Sequence, residues 1–279
     1  MDERPIGMFD SGFGGLTGAR ALIDLLPEEN LLYVCDTCRY PYGPRPLDEV
    51  RGFADEISFD LVERHDVKLI IVACNTASAA ALDRLQARFD RPVVGVIEPG
   101  VQSLLDVTTT GRVGVIGTVG TVGSGAYQQS VANLRPDVDL VCAACPGFVE
   151  FVERGETRTD QVRVLAERLL APVIDAKVDS LLLGCTHYPF LSRTIGEVMG
   201  RDVVLVSSAD ETAFAVRRIL GGTDRARRSA EPATHRFLSS GDIDVFVELG
   251  RRLLGPELQR VEAWKGPDPT DPATGRTLP

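Results

Sequence analysis

A chain of 279 residues with 44% apolar and 25% charged residues has the composition of a globular protein with one large core or two modest ones. Acidic residues outnumber basic ones by 40 to 30, and the net charge of −10 disfavours binding to nucleic acid or to an anionic membrane. The sequence contains neither a signal peptide nor a run of roughly 18 apolar residues, so we expect a cytoplasmic chain whose six cysteines are free thiols.

Short β-branched runs alternate with longer amphipathic segments along the chain. Helical spacing of apolar residues is found in segments such as 16–26, 47–65 and 159–176. Eight runs have the length and composition of strands: residues 5–10, 30–36, 67–74, 91–97, 112–118, 139–145, 178–185 and 202–208. This alternation predicts an α/β fold with mostly parallel sheets flanked by helices on both sides.

The same succession of strand, cysteine and helix occurs twice, which predicts two similar α/β domains. We place the break near Pro99 and Gly100, which interrupt the regular pattern. The first predicted domain comprises residues 1–97 and 208–264, and the second comprises residues 98–207. Residues 265–279 contain four prolines and almost no large apolar side chains, so we expect this tail to be disordered or to lie along the surface.

Cys74 ends an apolar run within the stretch IIVACNTASAAAL, residues 70–82. Ligands of open parallel sheets collect at the carboxyl ends of strands. A helix beginning at Asn75 or Thr76 would favour a thiolate on Cys74 through its free N–H groups. Asn75 could cap that helix or hold a substrate carboxylate. The alternative is a buried cysteine that packs as a small apolar residue.

Cys185 repeats this arrangement within SLLLGCTHYPFL, residues 180–191. Thr186 and His187 follow it directly, and Pro189 suits the first turn of a helix. Cysteine, threonine and histidine at one strand end could form a base with a proton relay. Two such cysteines at matching strand ends favour a catalytic interpretation over a structural one.

Asp10 ends the first predicted strand within FDSGFGG, residues 9–15, where glycines would let the backbone approach a ligand. A dinucleotide fingerprint is the alternative, with Asp36 as the ribose-binding acid, but position 17 holds threonine where that fingerprint needs glycine.

Two CxxC pairs raise the alternatives of a zinc site and a redox centre. The pairs Cys35–Cys38 and Cys142–Cys145 are much farther apart along the chain than the halves of a zinc ribbon. Neither pair clearly opens a helix, as a redox centre would. We therefore predict no metal.

Seven stretches, taken in order, resemble the successive signatures of the glutamate racemase family: FDSGFGGLT, DTCRYPYG, ACNTAS, VIEPG, SGAY, CPGFVEFVERG and GCTHYPFL. The resemblance covers residues 6 to about 212. It implies two α/β domains with the active site in the cleft between them. It also implies a cofactor-independent racemase that interconverts L- and D-glutamate and supplies D-glutamate for peptidoglycan.

Carried over residue by residue, the resemblance assigns the two catalytic bases to Cys74 and Cys185. Asp10 and His187 would assist them, together with an acid that we place at Glu153, with Glu150 as the competing choice. The implied substrate contacts are Asp10, Ser11, Pro41, Tyr42, Gly43, Asn75, Thr76, Thr118, Thr121 and Thr186.

Two departures from the family pattern stand out. Cys35 and Cys38 replace small residues without a thiol, so either could be an additional reactive thiol near the cleft. Gly123 occupies the position before SGAY where the family commonly has arginine, which puts any contact from that side chain in doubt.

Rival interpretations remain open. An aspartate racemase would also use two cysteines as its bases. A protein without catalytic activity could use the cleft to bind an acidic amino acid. A metal-dependent thiol regulator is more distant. The sequence leaves the oligomeric state undecided, with a homodimer among the options.

Overall fold

The computed structural model describes residues 2–255, 258 and 261–266. The predicted tail lies outside these residues except for Lys265 and Gly266. The strands in the described part are β1 Ile6–Asp10, β2 Leu31–Cys35, β3 Leu69–Val72, β4 Val93–Gly95, β5 Arg112–Gly117, β6 Asp139–Ala144, β7 Ser180–Gly184, β8 Val204–Val206, β9 His235–Ser239 and β10 Val261–Ala263.

Helices connect these strands in the alternating order that the sequence predicts. Their bounds are α1 Leu16–Leu25, α2 Leu47–Glu63, α3 Asn75–Arg88, α4 Ile97–Val107, α5 Val119–Gly123, α6 Ala126–Leu134, α7 Phe148–Glu153, α8 Asp160–Asp175, α9 Ser192–Met199, α10 Ala209–Gly221 and α11 Ile243–Leu254, with a 3₁₀ helix at Tyr188–Leu191. Within the described residues, none of these helices is both long and apolar enough to cross a bilayer.

The strands form two parallel sheets. One has the order β10-β9-β2-β1-β3-β4 and the other the order β6-β5-β7-β8. The predicted α/β class with helix-flanked parallel sheets is confirmed. All eight predicted strands are present, each trimmed by one or more residues. The strands β9 and β10 were not predicted, because HRFLS in β9 has only two apolar residues and β10 spans only three residues.

Apolar side chains bury both faces of each sheet. On β1, Ile6 and Met8 pack on one side with residues of α1, α10 and α11, whereas Phe9 packs on the other side with residues of α2 and α3. The smaller sheet is covered by α8 and α9 on one face and by α4 and α6 on the other. Double-sided burial explains why these strands appear as continuous apolar runs rather than as alternating ones.

The carboxyl ends of four strands carry the residues that the sequence analysis selected. Asp10 ends β1, Cys74 follows β3, Thr118 follows β5 and Cys185 follows β7. The first two strands belong to the larger sheet and the last two to the smaller one. Side-chain contacts between these ends, described next, show that the two sheets present them to each other.

Candidate active site

Cys74 occupies the N-cap position of α3 in an extended backbone conformation and is 5% exposed. Its thiol donates a long hydrogen bond to Ser11 Oγ at 3.7 Å. Burial raises the pKa of Cys74, and the negative charge of Asp10 adds to that rise, while the backbone N–H of Ala77 opposes it less strongly. The helix start favours a thiolate here, as predicted, but burial of the thiol outweighs this contribution.

Asn75 is the first residue of α3, so the expectation that its side chain caps the helix is wrong. The amide instead points across to the smaller sheet, where Nδ2 donates to Tyr127 Oη at 2.8 Å. Its Oδ1 is buried and has no hydrogen-bond partner among the described residues. An unpaired buried acceptor is unfavourable on its own, so this atom is a candidate ligand contact.

Cys185 follows β7 and is 7% exposed. A 3₁₀ helix with Pro189 in its first turn comes next in the chain and is followed by α9, so the predicted position of Pro189 is confirmed. The short turn brings His187 back toward the thiol, with 4.0 Å between Cys185 Sγ and His187 Nδ1. The other ring nitrogen, Nε2, donates to Glu153 Oε1 at 2.9 Å.

This contact distinguishes the two acids that the sequence left open. Glu153 is the last residue of α7, and its carboxylate reaches His187. Glu150 lies one turn earlier, in the first turn of the same helix. The structure therefore brings Glu153, and not Glu150, to the histidine as its hydrogen-bonding partner.

The His187 ring is buried, and burial alone would lower its pKa. Hydrogen bonds to Cys185 and to Glu153 outweigh burial and raise the pKa to about 10. His187 is therefore an imidazolium at neutral pH, and it loses its proton only as the pH rises through about 10. It places a positive charge beside Cys185 Sγ.

We expect an NMR titration of the imidazole signals to show this shift directly. The His187 resonance, assigned by its loss in His187→Gln, should titrate with a midpoint near pH 10. His65 provides an internal comparison, because burial lowers its pKa. As the pH rises, its titration midpoint should come below pH ~6.5. A His187 midpoint near pH ~6.5 would contradict the assignment of an imidazolium at neutral pH.

Asp10 connects the two cysteine-bearing strand ends. It is fully buried, and its Oδ2 accepts hydrogen bonds from the backbone N–H of Gly15 at 2.6 Å and from Thr186 Oγ1 at 3.2 Å. Burial raises the pKa of Asp10, although the charge of His187 opposes the rise. Its Oδ1 has no partner among the described residues. Ser11 accepts the hydrogen bond from the Cys74 thiol, and Thr186, which donates to Asp10, is the residue after Cys185. The short segment Asp10–Ser11 therefore contacts both cysteine-bearing strand ends.

Three threonine hydroxyls form a second polar cluster between the sheets. Thr76 Oγ1 lies 3.0 Å from Thr118 Oγ1 and 3.0 Å from Thr121 Oγ1, and the latter two oxygens are 2.9 Å apart. Thr118 also accepts a hydrogen bond from the Thr121 backbone N–H and thereby caps α5. The cluster offers several hydroxyl groups that can turn toward a carboxylate.

The predicted loop 41–43 lies against this cluster. The carbonyl oxygen of Gly43 accepts a hydrogen bond from the Gly120 N–H at 2.8 Å, and a Cβ on Gly43 would lie 2.7 Å from Thr118 Cβ. Only glycine allows this approach. The Tyr42 hydroxyl donates to the buried carboxylate of Asp36, and this hydrogen bond anchors the loop to the end of β2. Pro41 follows a cis peptide bond.

The other four cysteines donate no side-chain hydrogen bond to these site residues within the described part of the chain. All six cysteines are free, with Cys35 buried and Cys38 exposed. Burial raises the pKa of Cys35 well above its ordinary value, which makes this thiol a poor nucleophile. Cys38 donates to the carbonyl oxygen of Ser240 at 2.9 Å. In the part of the chain that the structure describes, no group of three or more histidine, cysteine or acidic side chains is arranged to hold a metal.

Comparison with known proteins identifies the family. The profile of the Asp/Glu/Hydantoin racemases matches residues 19–216, which is more than half of the chain. The chain belongs to this racemase family.

Individual relatives narrow this assignment within the racemase family. The chain is 50% identical over 262 residues to a glutamate racemase of Acidothermus cellulolyticus, which covers 94% of this chain and 99% of that protein. A glutamate racemase structure from Bacillus anthracis superposes with a TM-score of 0.90 at 38% identity, over 95% of this chain and 98% of the other. A glutamate racemase structure from Francisella tularensis in complex with D-glutamate superposes with a TM-score of 0.88 at 33% identity, over 95% of this chain and 98% of the other. The resemblance to glutamate racemases is confirmed.

Two tyrosines of this racemase site were not selected from the sequence. The Tyr40 ring packs against His187 with 5.8 Å between ring centroids, and Tyr127 contacts Asn75. Tyr40 adjoins the loop 41–43 and Tyr127 ends the SGAY motif, so each lies in a stretch that carried the family resemblance. The stretches alone do not indicate which side chains these tyrosines contact.

Proposed function

We propose that this chain is a cofactor-independent glutamate racemase that uses Cys74 and Cys185 as its two bases. The observation that carries the proposal is the position of the two cysteines at facing strand ends, linked through Ser11, Asp10 and Thr186. The named relatives are glutamate racemases over nearly the whole chain, which supports glutamate as the small-molecule substrate.

Racemisation requires a proton to leave one face of the α-carbon and another to arrive on the opposite face. A single side chain does not lie on both faces, so two groups are needed, one ready to accept and one ready to donate. A pair of identical thiols can exchange these roles between the two directions.

The electrostatics of the site suggest where the donated proton starts. The raised pKa of Cys74 keeps its proton on sulfur, whereas the imidazolium of His187 lies 4.0 Å from Cys185 Sγ. We assign the resting proton to Cys74 and the role of first acceptor to Cys185. Glu153 holds the His187 ring in place through Nε2.

Substrate charges match the unpaired groups of the site. Asp10 Oδ1 is a buried acceptor without a partner in the described structure, which suits an ammonium group. The hydroxyls of Thr76, Thr118 and Thr121 suit a carboxylate. Donors fixed in advance around developing negative charge lower the barrier to α-proton removal without a pyridoxal cofactor.

The remaining assignments belong to the same proposal. Residues 1–97 with 208–264 form the first domain, residues 98–207 form the second, and the cleft between them closes on glutamate. The enzyme works in the cytoplasm and supplies D-glutamate for peptidoglycan synthesis. A homodimer is compatible with this scheme.

The test is incubation with L-glutamate in D₂O, with a chelator present and without added pyridoxal phosphate. We expect D-glutamate to form with deuterium at Cα until the mixture is racemic. L-aspartate is assayed in parallel, and faster turnover of aspartate would favour the aspartate racemase. Binding of glutamate without α-exchange would favour a silent binding protein, and a requirement for metal or pyridoxal phosphate would contradict the proposed chemistry.

A further inference from the structure

Tyr127 is a fully buried tyrosine whose hydroxyl faces the start of α3. It lies at the second position of α6, which covers the smaller sheet, and its ring is 0% exposed. Its Oη accepts the hydrogen bond from Asn75 Nδ2 at 2.8 Å, and Asn75 itself is 3% exposed. The bond joins a helix of the larger sheet to one of the smaller sheet, away from solvent.

The same ring lies beneath the strand end that carries Cys185. A Cβ on Gly184 would lie 3.0 Å from both Oη and Cε2 of Tyr127, so the glycine makes room for the ring. Gly184 immediately precedes Cys185, and Asn75 immediately follows Cys74. Tyr127 thus contacts the neighbour of each cysteine from a single position.

The hydrogen bond also holds the Asn75 side chain in place. The amide oxygen, Oδ1, has no hydrogen-bond partner among the described residues, so the Tyr127 hydroxyl is the group that restrains the amide. A tyrosine hydroxyl can accept from the amide nitrogen or donate to the amide oxygen, so the bond fixes the position of the amide rather than the direction of its two ends. Without this hydroxyl, the Asn75 side chain would be free to rotate away from the substrate.

We propose that Tyr127 is a positioning residue for glutamate racemisation, which it supports by holding the Asn75 amide in place beside Cys74. This inference rests on the proposed function. It assigns Tyr127 no contact with the substrate and no part in proton transfer.

The test compares Tyr127→Phe with wild type, because phenylalanine keeps the ring and removes only Oη. We expect KM for glutamate to rise about 5-fold, the scale of one lost hydrogen bond between neutral groups. The free energies of the two enantiomers are equal, so kcat/KM must fall by the same factor in both directions. Tyr188→Phe is the matched control. Tyr188 is equally buried, and its hydroxyl donates to the Cys145 carbonyl oxygen at 3.0 Å.

A double-mutant cycle with Asn75→Ala tests whether the effect passes through the amide. If it does, adding Tyr127→Phe to Asn75→Ala should change KM no further, while Tyr188→Phe should leave KM unchanged. The inference is overturned if Tyr127→Phe keeps the wild-type KM, if the two effects multiply, or if Tyr127→Phe does not fold, since the hydroxyl would then be structural. If wild type itself fails to exchange the α-proton, the proposed function fails and this inference fails with it.

Discussion

Replacing either Cys74 or Cys185 by serine is expected to lower kcat for glutamate racemisation at least ~10³-fold in both directions. A serine hydroxyl is far less acidic than a thiol, so it cannot take up and return a proton at neutral pH. One remaining base can remove a proton but leaves no matched donor on the other face. The equilibrium constant between enantiomers is 1, so the losses in the two directions must be equal in kcat/KM.

A glutamate analogue with a leaving group on the β-carbon separates the two cysteines. Its elimination needs a single base, so each variant should still process one stereoisomer and not the other. Cys142→Ser is the control, since Cys142 lies in β6 outside the group of contacts around Asp10. Full racemase activity in either active-site variant would rule out the two-thiol scheme.

Gly14→Ala is expected to lower kcat/KM about 100-fold while the protein remains folded. A Cβ at this position would lie 2.4 Å from Thr186 Oγ1 and 2.7 Å from His187 Nδ1. The loop and the Cys185 turn would therefore have to separate, which lengthens the contact between Asp10 and Thr186. A shift of about 1 Å at reacting groups commonly costs two orders of magnitude in rate.

Gly123→Ala is the matched control for this glycine, because a Cβ there meets no atom within 4 Å. Alanine within a helix is also slightly favoured over glycine, so Gly123→Ala should retain activity and stability. Steady-state kinetics and thermal unfolding of both variants check the prediction. Wild-type kinetics in Gly14→Ala would show that the close approach of loop and turn is not needed.

The sequence predicts the architecture well where burial is two-sided. The central strands are long apolar runs because helices cover both faces, and they are therefore easy to recognise. The strands β9 and β10 lack such runs: HRFLS has only two apolar residues, and β10 spans three residues. Their pairing depends on β2 offering a free edge, which is a tertiary property that local sequence does not encode.

The site could be listed from the sequence, but its electrostatics could not. A cysteine before a helix suggests a thiolate, yet the structure surrounds Cys74 with apolar atoms and an acid, and its pKa rises. Glu150 and Glu153 lie one turn apart on α7, and only the 2.9 Å contact with His187 distinguishes them. The bond between Asn75 and Tyr127 joins helices of different sheets and has no local signature.

A crystal structure of this chain with glutamate bound tests the central claim most directly. The account predicts that the substrate α-carbon lies between the two sulfur atoms, with Cys74 Sγ and Cys185 Sγ on opposite faces. Each sulfur atom should lie within about 3.5 Å of the α-proton that it removes or delivers. Both sulfur atoms on one face, or one of them out of reach of the α-carbon, would contradict it.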